Sequence, residues 1–287
     1  MNTSAVRGGV RSMVASAFWF SVMSALVKVA GERLPSQEIV LARAIVSLVL
    51  SYALVRRAGV SPWGNQPAWL LLRGLCGFLG LTCFYYAVTQ LPLAETTVIQ
   101  YLHPMLTALF AAWFLGEVVR SSLVFSLALS LVGVLAVARP SFLFGAAAAD
   151  LPPLALAAAG GGALFSAFAY VLVRRLSGSE HSMVIILYFP LVTVPLALPW
   201  VWQHGVWPHG FEWLILLGVG IATQLGQVYL TRGIRLLPAG KATSLSYLQV
   251  AFAGLWGMLF FAEVPDGWFF VGAALILAGA FVSARSR

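Results

Sequence analysis

Leu91-Pro92-Leu93-Ala94-Glu95, followed by Tyr101-Leu102 and then by Gly116-Glu117-Val118 with Arg120, returns in weaker form later in the chain. The second copy reads Leu237-Pro238-Ala239-Gly240-Lys241, then Tyr247-Leu248, then Ala262-Glu263-Val264 with Asp266. Equivalent positions lie 146 residues apart, and the same offset pairs Gly133 with Gly279 and Arg139 with Arg285. The flanking charge changes sign between the copies: Glu95 stands opposite Lys241, and Arg120 opposite Asp266. A duplicated half with inverted flanking charge is what a membrane protein needs if its two halves insert in opposite orientations.

Composition agrees. The chain is 61% hydrophobic and only 9% charged, with mean hydropathy +0.92, whereas a soluble domain carries about 25% charged residues. Most of its surface must therefore face the lipid bilayer. The net charge of +8 forms no cluster beyond pairs, so it points to topology-setting loop charge and not to nucleic acid. Cys76 and Cys83 lie seven residues apart in one apolar span, too far along a helix for a disulfide and with no ligand pattern for a metal. They read as small packing residues.

Ten stretches have the length and apolarity of a span: residues 13–30, 38–55, 69–89, 95–115, 122–138, 154–173, 182–202, 212–230, 240–261 and 267–284. Met1–Ser12 leads into the first span and carries no cleavable signal pattern. With the N-terminus inside, one face holds Arg7, Arg11, Arg56, Arg57, Arg73, Arg120, Arg174, Arg175, Arg232, Arg235, Lys241, Arg285 and Arg287, leaving Lys28, Arg33, Arg43 and Arg139. The acids Glu32, Glu38, Glu95, Asp150, Glu212, Glu263 and Asp266 fall on the other face. Adding or removing one span midway scrambles this partition. The charge rule thus predicts ten spans, both termini cytoplasmic, and antiparallel halves over residues 1–140 and 141–287, since five spans per half is an odd number.

The run Tyr101-Leu102-His103-Pro104-Met105-Leu106-Thr107-Ala108-Leu109-Phe110-Ala111-Ala112-Trp113-Phe114-Leu115-Gly116-Glu117 resembles the fourth-helix motif of EamA-type transporters of the drug/metabolite transporter superfamily. Phe84-Tyr85-Tyr86-Ala87 and the Leu91–Glu95 stretch before it strengthen the likeness, as do chain length and duplication. The resemblance spans the whole chain. It implies an all-α membrane protein of ten transmembrane helices, in two inverted five-helix repeats around a central cavity lined by spans 1, 3, 4, 6, 8 and 9. In overall look the chain is most similar to the bacterial aromatic and broad-range amino-acid exporters of the YddG type. That implies an inner-membrane secondary transporter, not an enzyme, exporting amino acids and related small metabolites by alternating access, without a cofactor. Other family substrates leave two alternatives: an importer of a flavin or S-adenosylmethionine-like metabolite, and a proton-coupled drug/metabolite exporter. The second copy departs from the motif, with Val250 in place of the proline and Ala262 in place of the glycine.

Polar side chains at membrane depth are expensive and usually face an interior or a watery cavity. No Asp or Glu lies mid-span, so recognition falls to neutral polar groups and aromatics. Thr96, Gln100, His103 and Thr107 follow helical spacing along one face of span 4. Gln224 and Gln227 stand on span 8, Ser246 and Tyr247 on span 9, Tyr85 and Tyr86 on span 3, Ser166 and Tyr170 on span 6, and Trp19 and Ser24 on span 1. Together with Tyr101 these form the expected substrate-binding set. Each has a plainer reading: a lone Gln glues helices, and a Ser or Thr bonds back to its own turn. Pro104, Pro190 and Pro195 are the expected hinges, since each removes a ladder hydrogen bond. His103 has two open roles, a proton relay or a donor to the carbonyl that Pro104 releases. Arg43 and Lys28 are close enough to the outer face to snorkel and are placed to attract a substrate carboxylate. Trp69, Trp113, Trp200, Trp202, Trp207 and Trp213 at span ends read as interface anchors.

Overall fold

A computed structural model describes residues 3–144, 152–262 and 264–285; Asp150, Glu263 and Arg287 of the charge partition lie outside them. Inside a bilayer only a helix satisfies its own backbone, and every described element is helical. The first repeat contains α1 (Thr3–Ala30), α2 (Ser36–Arg57), α3 (Pro67–Gln90), α4 (Leu93–Gln100), α5 (His103–Leu115), α6 (Ser121–Ala138) and a single turn, α7 (Ser141–Phe144). The second contains α8 (Pro153–Leu176), α9 (Ser182–His204), α10 (Glu212–Leu236), α11 (Ala239–Ser244), a 3-10 turn at Leu245–Tyr247, α12 (Leu248–Phe260) and α13 (Gly267–Arg285). Ten helical segments, with α4–α5 and α11–α12 each counted as one, are long and apolar enough to cross a membrane.

The repeat governs the detail. The starts of α2, α4 and α6 reappear one repeat later as the starts of α9, α11 and α13. Pro92 and Pro238, both extended, precede α4 and α11. Gly116 ends α5 in the left-handed region at φ 66°, and its equivalent Ala262 adopts φ 51° despite its Cβ.

The chain divides into two compact units, each built from both repeats. The first runs up to Phe78 and includes Leu172–Leu236; the second is Leu79–Val171 with the chain from Leu237 onward. In the first, α1 packs on α10, and α2 on α9 and α10. Ser16 Oγ donates to Gly226 O at 3.0 Å, and Phe20 lies against the same glycine. One repeat away, within the second unit, Gly80 meets Gly162 and Ser166. Gly220 against Val46 likewise returns as Gly74 against Val192. In the second unit α6 packs on α13. There Gly133 meets Gly272, and Ser126 Oγ donates to Gly279 O at 2.8 Å, each contact being the repeat image of the other. The absence of side chains at these crossings lets backbones approach, which is how helices gain contact in lipid.

Loop acids find partners close by. Arg33 pairs with Glu212, and Glu38 accepts from Val206 N at 2.7 Å. Arg139 pairs with Asp266 at 2.6 Å, and Glu95 accepts from Ser141 N at 2.7 Å. Glu180 accepts from Asn65 N and Gln66 N, and Glu117 from Ala239 N, so these two acids serve helix N-termini. Two of the four basic residues left out of the inner-face set, Arg33 and Arg139, are thus paired with acids. The six expected tryptophan anchors are all exposed.

Three expectations need correction. Helix α1 starts about three turns before residue 13 and carries Arg7 and Arg11. Arg43 does not snorkel: it is 6% exposed, donates to Met23 Sδ at 3.4 Å and lies 6.0 Å from the Phe189 ring centroid. Arg73, assigned to the inner surface, is 3% exposed within α3.

A left-handed alanine carries a backbone penalty of roughly 1–2 kcal/mol that glycine avoids, less what glycine loses in unfolded-state entropy. Ala262→Gly should therefore raise stability by about 0.5–1 kcal/mol, and Gly116→Ala should lower it by about 1 kcal/mol. Denaturation of the purified protein checks both, and a destabilised Ala262→Gly would contradict the left-handed backbone.

Candidate functional site

Span 4 is not one helix. Pro104 has no N–H for Gln100 O, and Met105 N turns to Leu102 O at 3.0 Å, away from Tyr101 O. Two carbonyls are released at membrane depth, and both find side chains. His103 Nδ1 lies 2.9 Å from Gln100 O, and Tyr247 Oη donates to Tyr101 O at 2.9 Å. Since a carbonyl only accepts, Nδ1 carries the proton in this contact, which is the released-carbonyl role expected of His103 and leaves Nε2 as its second nitrogen. Span 9 breaks at the equivalent place, through the 3-10 turn at Leu245–Tyr247, although Val250 stands where the first copy has its proline. The break is therefore a property of the repeat and not of the proline alone. Tyr101 and Tyr247, repeat equivalents, stack with centroids 5.7 Å apart at 25°.

This break brings together a cluster in the second unit. Gln100 Nε2 donates to Ser166 Oγ at 3.2 Å, and the His103 ring lies 5.3 Å from Tyr170 and 6.0 Å from Tyr101. Ser166 and Tyr170 are one turn apart on α8, so their spacing matches that of Gln100 and His103 across the broken span. Two buried acceptor atoms have no hydrogen-bond partner here: Gln100 Oε1 and His103 Nε2. In the neutral Nδ1–H ring, Nε2 is a bare lone pair. A buried unpaired acceptor costs about 1–3 kcal/mol, so a donor placed against either atom would be favoured.

The other expected site residues divide. Thr96 and Thr107 bond back to Pro92 O and His103 O, so the four-residue face of span 4 reduces to Gln100 and His103. Ser246 bonds back to Thr243 O and Ser24 to Phe20 O. Tyr247 is fully buried. Tyr85 is half-buried at the edge of Phe84, and Tyr86 is exposed. In the first unit Trp19 is half-buried beside Phe18. Gln224 exchanges hydrogen bonds with Ser51 at 2.9 and 3.1 Å, joining α10 to α2 as helix glue. Gln227 Oε1 accepts from Arg73 Nη2 at 3.2 Å. Pro190 and Pro195 lie within the unbroken helix α9, whereas Pro104 sits at a real break. Sequence reasoning missed Arg73; its signal was its place four residues inside the span that begins at residue 69.

Residues 7–139 and 153–285 each match the EamA-like transporter family. The chain belongs to that family. Across 98% of both chains it is 35% identical to the pseudopaline exporter of Pseudomonas aeruginosa. It is 29% identical to solute carrier family 35 member G1 of Mus musculus, over 97% of this chain and 78% of that one. It is 24% identical to an S-adenosylmethionine uptake transporter of Rickettsia felis, over 90% and 85%. A crystal structure with 25% sequence identity superposes with TM-score 0.81, over 98% of this chain and 96% of that one. Family membership makes the chain a membrane transporter of the drug/metabolite superfamily, and the family's ten-helix, two-repeat fold is the one seen here.

Helix glue has a measurable signature. A double-mutant cycle of Gln224→Ala with Ser51→Ala should return a coupling of about 0.6–1.7 kcal/mol in stability. A coupling indistinguishable from zero would return Gln224 to the substrate-facing set.

Proposed function

We propose that the chain exports amino acids and related amine-bearing metabolites across the inner membrane, running down their gradient. The observation that carries this reading is the pair of partnerless acceptors, Gln100 Oε1 and His103 Nε2, set among Tyr101, Tyr170 and Ser166 at membrane depth. An ammonium group supplies three donors for such acceptors, and aromatic faces favour its charge. An enzyme would need an acid, base or metal constellation, and this cluster contains one histidine whose Nδ1 is committed to a carbonyl. The 35% identical relative is named as an exporter, which supports the outward direction. Inner-membrane placement with cytoplasmic termini rests on the basic residues of the inner loops.

Uncoupled transport is the simpler mechanism. A proton-coupled carrier needs a group at membrane depth that changes protonation during the cycle. His103 is held by Gln100 O, and the described acids that form hydrogen bonds do so near span ends: Glu38, Glu95, Glu117, Glu180, Glu212 and Asp266. Alternating access then requires only that substrate not strongly favour one facing state. The breaks at Tyr101-Leu102 and Tyr247-Leu248 are the proposed hinges, with Pro104 at the first. Pro190 and Pro195 serve as secondary flexure points within α9.

Purified protein in liposomes should show counterflow of labelled L-phenylalanine or another member of an amino-acid panel, with no pH gradient. Gln100→Ala should slow it about tenfold or more with expression unchanged, as expected for a lost buried hydrogen bond. Wild-type rates in that variant would reduce Gln100 to helix glue. Uphill accumulation driven by a pH gradient, collapsed by a protonophore and lost in His103→Gln while counterflow survives, would make His103 a proton site.

A further inference from the structure

Along the sequence the basic residues occur only as scattered pairs, and the first unit gathers several of those pairs at one end. Helices α1 and α10 run antiparallel: Phe20 lies against Gly226, Met13 against Gly233, and Gly8 faces Leu236. Arg7 and Arg11 on α1 therefore stand at the same end as Arg232 and Arg235 on α10. Within each couple the two arginines are one turn apart, a spacing that sets Cβ atoms about 5–6 Å from each other. Arg174 Nη1 donates to Ile234 O and Arg235 O at 3.1 and 3.0 Å, which brings the end of α8, with Arg175, to the same place. Helix α2 runs alongside α10 in the same direction, with Val46 beside Gly220 and Ser51 on Gln224, so Arg56 and Arg57 arrive there too.

Acids do not balance this charge. Arg174 apart, these arginines are exposed, and none of the exposed ones forms an ion pair among the described residues. The described acid of the unit at this end is Glu180, which is buried and taken up by Asn65 N and Gln66 N. Glu38 and Glu212 belong to the opposite ends of α2 and α10. Crowded guanidinium groups repel one another, and an anion between them relieves that repulsion while filling their planar donor forks.

A second observation indicates which anion. Arg175 lies over the ring of Trp69, 4.1 Å from its centroid, and the ring is exposed at the start of α3. Leu72 and Leu75 follow Trp69 at one-turn steps along the helix, and both are exposed. A cation, then an aromatic ring at a span end, then an aliphatic strip is the order in which a phospholipid presents its phosphate, glycerol and acyl chain. A soluble phosphate compound would use the arginines and leave the strip uncovered.

We propose that this end of the first unit binds anionic phospholipid, its phosphate held among arginines of neighbouring helices and an acyl chain lying along α3 below Trp69. Membership of a membrane transporter family places these helices in a bilayer, and the proposal does not depend on what the carrier moves.

The test is a lipid-binding measurement on the detergent-solubilised protein. It is titrated with dioctanoyl phosphatidylglycerol, with dioctanoyl phosphatidylcholine, and with glycerol phosphate, which has the anionic group and no chains. Retained lipid in native mass spectrometry and the thermal midpoint are the readouts. Phosphatidylglycerol should be retained and raise the midpoint, with an affinity about tenfold or more above that of phosphatidylcholine, and added salt should weaken it. Arg232→Gln combined with Arg235→Gln should lower that affinity about fivefold or more. Trp69→Leu leaves every loop charge in place and should also lower it several-fold, which a purely topological role of the arginines would not do. Arg33→Gln, at the opposite end and paired with Glu212, should bind as wild type does. Where the double arginine variant fails to insert, the wild type and Trp69→Leu carry the test. Equal affinity of the wild type for the two lipids overturns the proposal, as does unchanged affinity in Trp69→Leu and the arginine variant. Glycerol phosphate binding as tightly as phosphatidylglycerol would make this a site for soluble phosphates and overturn the lipid assignment.

Discussion

A backbone carbonyl cannot be left unpaired in hydrocarbon, and this rule governs the middle of the protein. Breaking span 4 releases Gln100 O and Tyr101 O. The side chains that satisfy them, His103 and Tyr247, are thereby fixed in orientation. With its Nδ1 committed, His103 presents Nε2, and with Gln100 turned to Ser166 its Oε1 is left over. The acceptor pair is thus a by-product of how the break is repaired. Tyr247 belongs to the equivalent break of the other repeat, so the second discontinuity helps support the first within the second unit.

The repeat supplies the second constraint. Contacts recur under a shift of one repeat, from Gly226 on Ser16 to Gly80 on Gly162, and from Gly220 on Val46 to Gly74 on Val192. Residues that touch their own equivalents are where the two copies are free to differ in chemistry. Tyr101 meets Tyr247, identical in both copies, whereas Arg43 meets Phe189, where one copy keeps a cation and the other an aromatic. Duplication reproduces the scaffold, and divergence at self-facing positions gives the two copies different side-chain chemistry.

Much of this was legible in the chain. The 146-residue offset, the alternation of spans and the charge partition come from apolar length and loop charge, which are local signals. Span ends follow from apolar length to within a few residues, apart from the start of α1, where Arg7 and Arg11 mask a helix already under way, and the end of α10, which continues past residue 230 to Leu236. The site was less legible because a polar residue on a span looks the same whether it faces substrate or a neighbour. Gln224 and Gln227 have one spacing and one composition, yet Gln224 is spent on Ser51 while Gln227 meets Arg73. Arg73 was hidden by its closeness to a span end, where an arginine ordinarily reads as topology charge. The break in span 9 is not legible from Val250, because no proline marks it.

The central claim is that equivalent positions of the two repeats lie on opposite sides of the membrane. Ser61 and Trp207 are such a pair, both exposed and both in loops. Each can be replaced by a single cysteine in a background where Cys76 and Cys83 are removed. An impermeant thiol reagent applied to intact cells should label the cysteine at position 207 and spare the one at 61 until the membrane is opened. Labelling of both from the same side would contradict the inverted repeat and the account built on it.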